Sequence, residues 1–423
     1  MKKSIYNNTV TVKDNEYLYY NSASGAIVWL DKDVYEAIEN NNLTFINKDI
    51  LDALEERGFV VYDAIDEYGR HMNRSKRFKI DKSSDLASFV IAPTMACNLR
   101  CVYCFEAGRY CSEKMSESTQ NDVFNFITNS ILSRDKKRLH ISWFGGEPMM
   151  AYSVIQNLSS RLIEFCKKHN INYAATMITN ATLLDETSIH ELYEKYNIRN
   201  VQITIDGNNY WYKVLKKGTE ENFKRVIENI LLMSKTPITV SLRLNICKEN
   251  VLAFKETIET LLSDKDFHAY IYPGKLMKYS DSDVFNEIGY EEMEEFKKYL
   301  REKTKEFPEY KVMYSKRLEP KGAGCGYMAD GRGLIDHNGL IYRCEHQINN
   351  KEFAIGDVIN GYYYNDIDSS FMDCPLPEKC KTCSIMPVCM GGCASDAIYD
   401  KKEFGCESLK EDIYHMVKTV SDI

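Results

Sequence analysis

Three cysteines, Cys97, Cys101 and Cys104, fall within eight residues and directly follow an apolar run, Ser88 to Ile91, that reads as a β-strand. A loop carrying C-x3-C-x2-C gathers three thiolates, one short of the four that close a structural zinc site or an ordinary cubane cluster. One coordination position is left for something else to bind. The alternative at this spacing is a zinc knuckle that borrows a fourth cysteine from elsewhere in the chain.

Periodicity around that loop argues for an α/β protein. Strands begin near residues 88, 138, 172, 200, 238 and 267, with amphipathic helices between them, for example Ser116 to Leu132 and Ala151 to Lys168. Six such units predict a partial (β/α)6 TIM-like barrel, in which function collects on the loops after the strands. The first of those loops is the three-cysteine segment. Ahead of the barrel, residues 9–13, 17–20 and 26–30 read as short strands, and Asp31 can cap a helix carrying Val34, Tyr35 and Ile38. A second helix is expected from about Asp49 to Glu56, ending at Gly58 before the run Phe59 to Tyr62. Asp63 to Lys82 is polar and charged and reads as a linker. Beyond about Glu319 the chain turns cysteine-rich, so the expected domains are 1–80, 81–318 and 319–423.

Fourteen cysteines in 423 residues need an explanation. The start, Met1 to Asn8, lacks the apolar core of a signal peptide, and no apolar run approaches the roughly 18 residues that span a bilayer. The expectation is a cytoplasmic protein without a membrane partner, and disulfides are rare in that reducing compartment. Metal is the default. Cys111, Cys166 and Cys247 stand apart from the cysteine groups and read as small buried hydrophobes. A net charge of −8 argues against a nucleic-acid partner.

With the aromatic Tyr103 just before its last cysteine, the C-x3-C-x2-C loop resembles the signature of the radical S-adenosylmethionine (radical SAM) superfamily. The resemblance implies that Cys97, Cys101 and Cys104 hold a 4Fe-4S cluster whose fourth iron is chelated by SAM. It further implies reductive cleavage of SAM to a 5′-deoxyadenosyl radical, with the cofactor carrying the hard chemistry. Gly145-Gly146-Glu147-Pro148 after the second strand resembles the family's motif for the SAM amino group. Thr179-Asn180-Ala181 has alanine where the family often has glycine, so a different turn is expected there. Thr204 matches the residue that contacts the SAM ribose, and Lys216 falls where many relatives carry an arginine. Leu242 and Arg243 fall on the strand whose apolar residue flanks adenine and whose polar residues line the site; an ordinary barrel strand is the alternative.

The C-terminal cysteines resemble the seven-cysteine SPASM domain, which binds two auxiliary 4Fe-4S clusters and brings the implied total to three. By that resemblance Cys380, Cys383, Cys389 and Cys406 hold a distal cluster, and Cys325, Cys344 and Cys393 a proximal one; zinc is the alternative metal. Either Cys374 completes the proximal set or one iron stays open for a substrate thiolate. The N-terminal strands and helices loosely resemble the winged-helix-like leader-binding domain of enzymes that modify ribosomally made peptides, which usually carries one more helix. A covering extension without a ligand is the other reading. The implied partners are a precursor peptide with its leader and a low-potential electron donor such as flavodoxin or ferredoxin. The implied reaction is peptide maturation, with thioether crosslinking of a cysteine placed first and carbon-carbon crosslinking an alternative. An anaerobic sulfatase-maturing enzyme is the runner-up. In that subfamily an Asp general base follows the cysteine at the position of Cys344, and Glu345 stands there in this chain. A non-catalytic iron-sulfur carrier is the third reading.

Overall fold

The computed structural model describes residues 1–13, 15–80, 85–278, 283–304, 319–329, 332–400 and 406–421. The chain opens with β1 (Lys2–Lys3), followed by an antiparallel meander of β2 (Asn7–Lys13), β3 (Glu16–Asn21) and β4 (Ile27–Asp31). Next come α1 (Lys32–Glu39) and α2 (Lys48–Glu56), whose first turn is capped by the Asn47 side chain accepting from the Asp49 N–H. β5 (Val60–Val61) then returns to pair with β1. Tyr19, Leu30, Ile38, Leu54 and Phe59 form the core beneath these elements.

Residues 63–82 depart from the linker expected of them. Glu67–Ile80 is a helix, α3, and its buried residues Glu67, His71 and Ser75 recur every four positions. The buried face is polar, so apolar periodicity gave no signal. Glu67 is nonetheless fully used: its Oε1 accepts from the Ser4 hydroxyl at 2.5 Å and its Oε2 from the Ile5 N–H at 3.0 Å.

The barrel strands are β6 (Leu86–Ile91), β7 (Arg138–Trp143), β8 (Asn172–Thr179), β9 (Ile198–Ile205), β10 (Thr239–Ile246) and β11 (Tyr270–Lys275). All five neighbouring pairs are parallel and follow chain order. The helices between them are α4 (Glu117–Ser133), α5 (Tyr152–Lys168), α6 (Glu186–Glu194), α7 (Asn209–Trp211), α8 (Glu220–Ser234) and α9 (Val251–Leu262), and α10 (Tyr290–Thr304) follows β11. Alternate residues of each strand, such as Val201, Ile203 and Ile205 on β9, join the core beneath these helices. Their neighbours Asn200, Gln202 and Thr204 point to the barrel interior, as period-2 alternation requires.

The sheet does not stop at β6. β12 (Arg332–Ile335) pairs in parallel with β6, and β13 (Leu340–Tyr342), β14 (Gly356–Asp357) and β15 (Gly361–Tyr362) extend it antiparallel. The remaining helices are α11 (Asp366–Met372), α12 (Met386–Cys389) and α13 (Cys406–Ser421). The chain divides into two compact units. One comprises Lys82–Met313 and Gly331–Asp368; the other comprises Met1–Asp81, Tyr314–Asp330 and Ser369–Ile423. In the second unit Leu18 and Tyr20 of β3 share a core with Ile385, Val388, Ile413 and Val417, so the two ends of the chain fold together. Among the described residues no helix is long and apolar enough to cross a membrane.

Candidate functional site

β6 delivers the chain into the three-cysteine loop, and two neighbouring strand ends hold that loop from below. Gly145, at φ +108°, lies where a Cβ would come within 2.5 Å of the Thr94 carbonyl oxygen. At Gly146 a Cβ would approach the Ala96 carbonyl to 2.3 Å. The glycine pair is therefore required by the cysteine loop's own backbone, which packs directly on it. The Glu147 N–H donates to the Ala96 carbonyl at 2.7 Å. Its carboxylate is fully buried and accepts from the Thr179 hydroxyl (2.7 Å), the Asn180 N–H (2.7 Å) and the Met149 N–H (3.0 Å). Burial pushes this carboxyl upward and those donors pull it back. Glu147 thus ties the ends of β7 and β8 together under the loop.

Asn180 continues the support, with its Nδ2 2.9 Å from Asn98 Oδ1 and 4.0 Å from Cys97 Sγ. At Ala181, which follows it, the backbone is left-handed, φ +61°, and the residue is fully buried. Surrounding contacts impose the turn at a cost of about 1–2 kcal/mol for an L-residue.

Behind the loop stands a buried charged group that the sequence reading assigned only in part. Tyr103 donates its hydroxyl to Asp206 Oδ2 at 2.5 Å, and Lys216 Nζ lies 3.5 Å from the same oxygen. Lys216 belongs to a single π-helical turn, Tyr212–Lys216, an irregularity common at functional sites. The carbonyls of Leu215 and Lys216 accept from the N–H groups of Val102 and Arg100 on the cysteine loop. Burial lowers the affinity of Lys216 for its proton, yet Asp206 and the Cys101 thiolate outweigh it and hold the ammonium above its ordinary value. Asp206 was missed, although its position at the end of a barrel strand was the available signal.

Thr204 and Arg243 are register partners on β9 and β10 and share the barrel interior. Arg243 donates through Nε to Asn245 Oδ1 at 2.9 Å, and Tyr272 donates to Gln202 Oε1 at 2.7 Å, which gives the interior a polar lining. Leu242 requires a correction. It is fully buried in the core under the helices with Val240 and Leu244, one residue out of phase with the interior face. It cannot flank a ligand inside the barrel.

Burial pushes the Cys97 thiol up to about 11 and the Cys101 thiol up to about 12; Cys104 also rises for the same reason. Charge on Cys104 raises both Cys97 and Cys101, and charge on Cys97 raises Cys101, so they sit within electrostatic reach. Among the described residues, one trio places every ligand atom within 4.8 Å, and it is Cys111, Glu113 and His337. Cys111 also differs from the apolar filler expected of it, because its Sγ lies 3.3 Å from His337 Nε2 and joins the loop to the β12–β13 turn.

A second acid was invisible in the sequence. Glu106, two residues beyond Cys104, is buried with an unpartnered Oε1. Burial pushes its carboxyl up to about 7; Arg109 opposes this and the neighbouring Glu345 adds to it. His346 stacks on Phe105 at 4.5 Å, and Arg109 reaches the carbonyls of His346 and Ile348. Glu345 is thereby held beside the cysteine loop.

In the other unit burial raises the Cys380 and Cys389 thiols, and the neighbouring Cys383 and Cys406 add to both. Cys393 likewise feels Cys325 there. Cys344 belongs to the barrel unit. Cys374 is pushed up by burial and pulled back by the ammonium of Lys79.

A parallel partial barrel whose first strand feeds a three-thiol loop, braced by a glycine pair on the next strand, is an α/β frame that presents those thiols at the strand ends. Residues 91–261 match the Radical SAM superfamily model. The cyclopropyl synthase TigE of Paramaledivibacter caminithermalis is 23% identical over 55% of this chain and 54% of its own length. A cysteine-type anaerobic sulfatase-maturating enzyme of Clostridium novyi is 23% identical over 72% of this chain and 87% of its own. The chain thus spans about half the length of the first curated relative and most of the second. Among solved structures, anSMEcpe with bound AdoMet superposes with a TM-score of 0.63 at 18% identity, covering 80% of this chain and 99% of that one. Streptococcus suis SuiB bound to its precursor peptide SuiA superposes with a TM-score of 0.54 at 16% identity, covering 93% and 95%.

Proposed function

We propose that this chain uses SAM and iron-sulfur clusters to mature a ribosomally made precursor peptide, joining a cysteine to a carbon of the peptide as a thioether. The observation that carries the reading is coverage. The likeness to SuiB, solved with its precursor peptide, extends over 93% of this chain, whereas that to anSMEcpe extends over 80%. Cys97, Cys101 and Cys104 would hold the radical cluster, which with SAM supplies a 5′-deoxyadenosyl radical that abstracts substrate hydrogen. Tyr103, Lys216 and Asp206 orient the loop, Glu147 locks its floor, and Thr204 with Arg243 faces the ligand from the interior. The four-thiol set of Cys380, Cys383, Cys389 and Cys406 suits an auxiliary cluster, and Cys325 with Cys393 belongs to a second. A low-potential carrier would supply electrons.

The test is anaerobic incubation with the precursor peptide, SAM and dithionite. Mass spectrometry should show loss of two hydrogens together with one free thiol. Loss of two hydrogens with every thiol retained would favour carbon-carbon bonding instead, the chemistry for which TigE is named. Repeating the assay on Cys374→Ala distinguishes an open proximal iron, with product still formed, from ligation by Cys374, with that cluster lost. A second reading, formylglycine formation, is favoured by one observation: the carboxylate of Glu345 stands beside Glu106 where a base is needed. Oxidation of a sulfatase peptide by this enzyme would select it.

A further inference from the structure

Arg70, Arg74 and Arg77 of α3 recur at i, i+4 and i+7, so they form one stripe along the helix; Lys76, one residue before Arg77, points to another side. All four are exposed, and Ile80, 68% exposed, extends the stripe with an apolar contact. Among the described residues none of the four forms an ion pair. Other exposed cations of the chain do find carboxylates: Lys137 with Asp135, Lys195 with Glu191, Lys213 with Glu220. Like charges spaced one turn apart destabilise an isolated helix by about 0.2–0.5 kcal/mol per pair. In a chain of net charge −8, that uncompensated positive face is a local exception.

The opposite face of the same helix identifies the partner. Tyr68 and Met72 pack into the cluster formed by Tyr6, Cys380, Met386 and Met390, with Cys383 alongside. Two of the four thiols assigned to the distal auxiliary cluster thus lie directly beneath α3. A helix with its side chains is about 10–12 Å across, so a protein docked on the arginine stripe comes about that close to those thiols. Proximity of this kind serves the transfer of an electron, whereas binding a peptide has no need of it.

We propose that the outer face of α3 docks an acidic one-electron carrier protein. This rests on the reading above that Cys380, Cys383, Cys389 and Cys406 hold a cluster and that a low-potential carrier supplies the electrons. In each encounter the reduced carrier is oxidised by one electron and the cluster is reduced by one; no bond is made and no proton moves. Arginine suits such a surface, because its side chain enriches interfaces and opposite charge across them sets the association rate more than the affinity.

The probe is reduced, acidic flavodoxin mixed with the cluster-loaded enzyme in a stopped-flow instrument, at several salt concentrations. The parent enzyme should be reduced at a rate that falls steeply with salt. The R70E/R74E/R77E variant should react at least about tenfold more slowly and with little salt dependence, in line with electrostatic steering. The R70K/R74K/R77K variant should retain most of the rate. Iron content, the dithionite-reduced EPR signals and dithionite-driven SAM cleavage should be equal in all three proteins. An unchanged flavodoxin rate in the charge-reversed variant would overturn the proposal, as would a parent enzyme that flavodoxin does not reduce. So would a variant that keeps its flavodoxin rate but loses affinity for the precursor peptide, since the stripe would then be a peptide surface. Failure of dithionite-driven SAM cleavage in the parent would count against the proposed function instead, so the two failures are separable.

Discussion

The two units of this protein place thiols in different ways. In the barrel unit one short segment carries Cys97, Cys101 and Cys104, and each prop beneath it comes from an adjacent strand end: the glycine pair after β7, Asn180 after β8, Asp206 after β9. In the other unit Cys380, Cys383, Cys389 and Cys406 sit on short turns and a helix start, over a core that joins β3 to α13 across nearly the whole chain. The first arrangement is local and rests on a parallel sheet. The second depends on contacts between residues about as far apart as the chain allows, so its ordering carries a larger loop-closure entropy. Damage to the barrel should therefore act on one cluster, and damage to the terminal core should act on thiols that are remote from it in sequence.

The largest expected effect is at Lys216. With side chains 5% and 0% exposed, Lys216 and Asp206 form a buried pair, and Lys216→Met leaves Asp206 without its cation, with the Tyr103 hydroxyl as its remaining side-chain donor. Breaking such a pair costs about 3–5 kcal/mol. The variant should lose the radical cluster and SAM cleavage while its auxiliary iron is retained, as Mössbauer quantitation would show. Equal loss of all clusters would break the comparison.

The converse variant is Leu18→Ala. Deleting a fully buried leucine costs about 3 kcal/mol or more, and here it opens the core shared with Ile385 and Val388. Limited proteolysis should find the N-terminal meander and the cysteine segment 380–393 released together, with the barrel still protected. Release of the meander alone would show that the ends fold independently.

A smaller effect tests Glu106. Its native carboxyl titrates near 7, above the ordinary carboxylate range, so its contribution to stability is full below about pH 4.3 and is lost as pH rises through 7. Glu106→Gln removes that loss, worth at most about 3 kcal/mol. Its Tm should nearly match the parent's at pH 4 and exceed it at pH 8; a gain at pH 4 as large as that at pH 8 would contradict the assignment. The smallest effect is at Ala181, whose left-handed backbone glycine adopts freely. Ala181→Gly should stabilise the barrel unit by about 1 kcal/mol, read as a rise of a few degrees in Tm.

Much of the barrel was legible because parallel strands buried on one face under helices repeat with a clear period. The six expected starts fall within three residues of β6 to β11. The three-thiol loop and the glycine pair were equally plain, and the structure adds a reason for the glycines, close contact with the loop's backbone. Other features were hidden for physical reasons. α3 buries Glu67, His71 and Ser75, so a period in apolar residues could not reveal it. Leu242 was placed one residue out of phase, an error that moves a side chain to the opposite face of a strand. The Glu106–Glu345 and Cys111–His337 pairs join residues more than 200 positions apart, and no local pattern predicts them.

The central claim is that Cys97, Cys101 and Cys104 form the radical site and act separately from the thiols of the other unit. It is tested most directly by the triple alanine variant, purified and reconstituted without oxygen, reduced with dithionite and supplied with SAM. The account predicts no 5′-deoxyadenosine, the loss of one cluster's iron, and auxiliary cluster signals unchanged from the parent. Continued 5′-deoxyadenosine formation in that variant would contradict it.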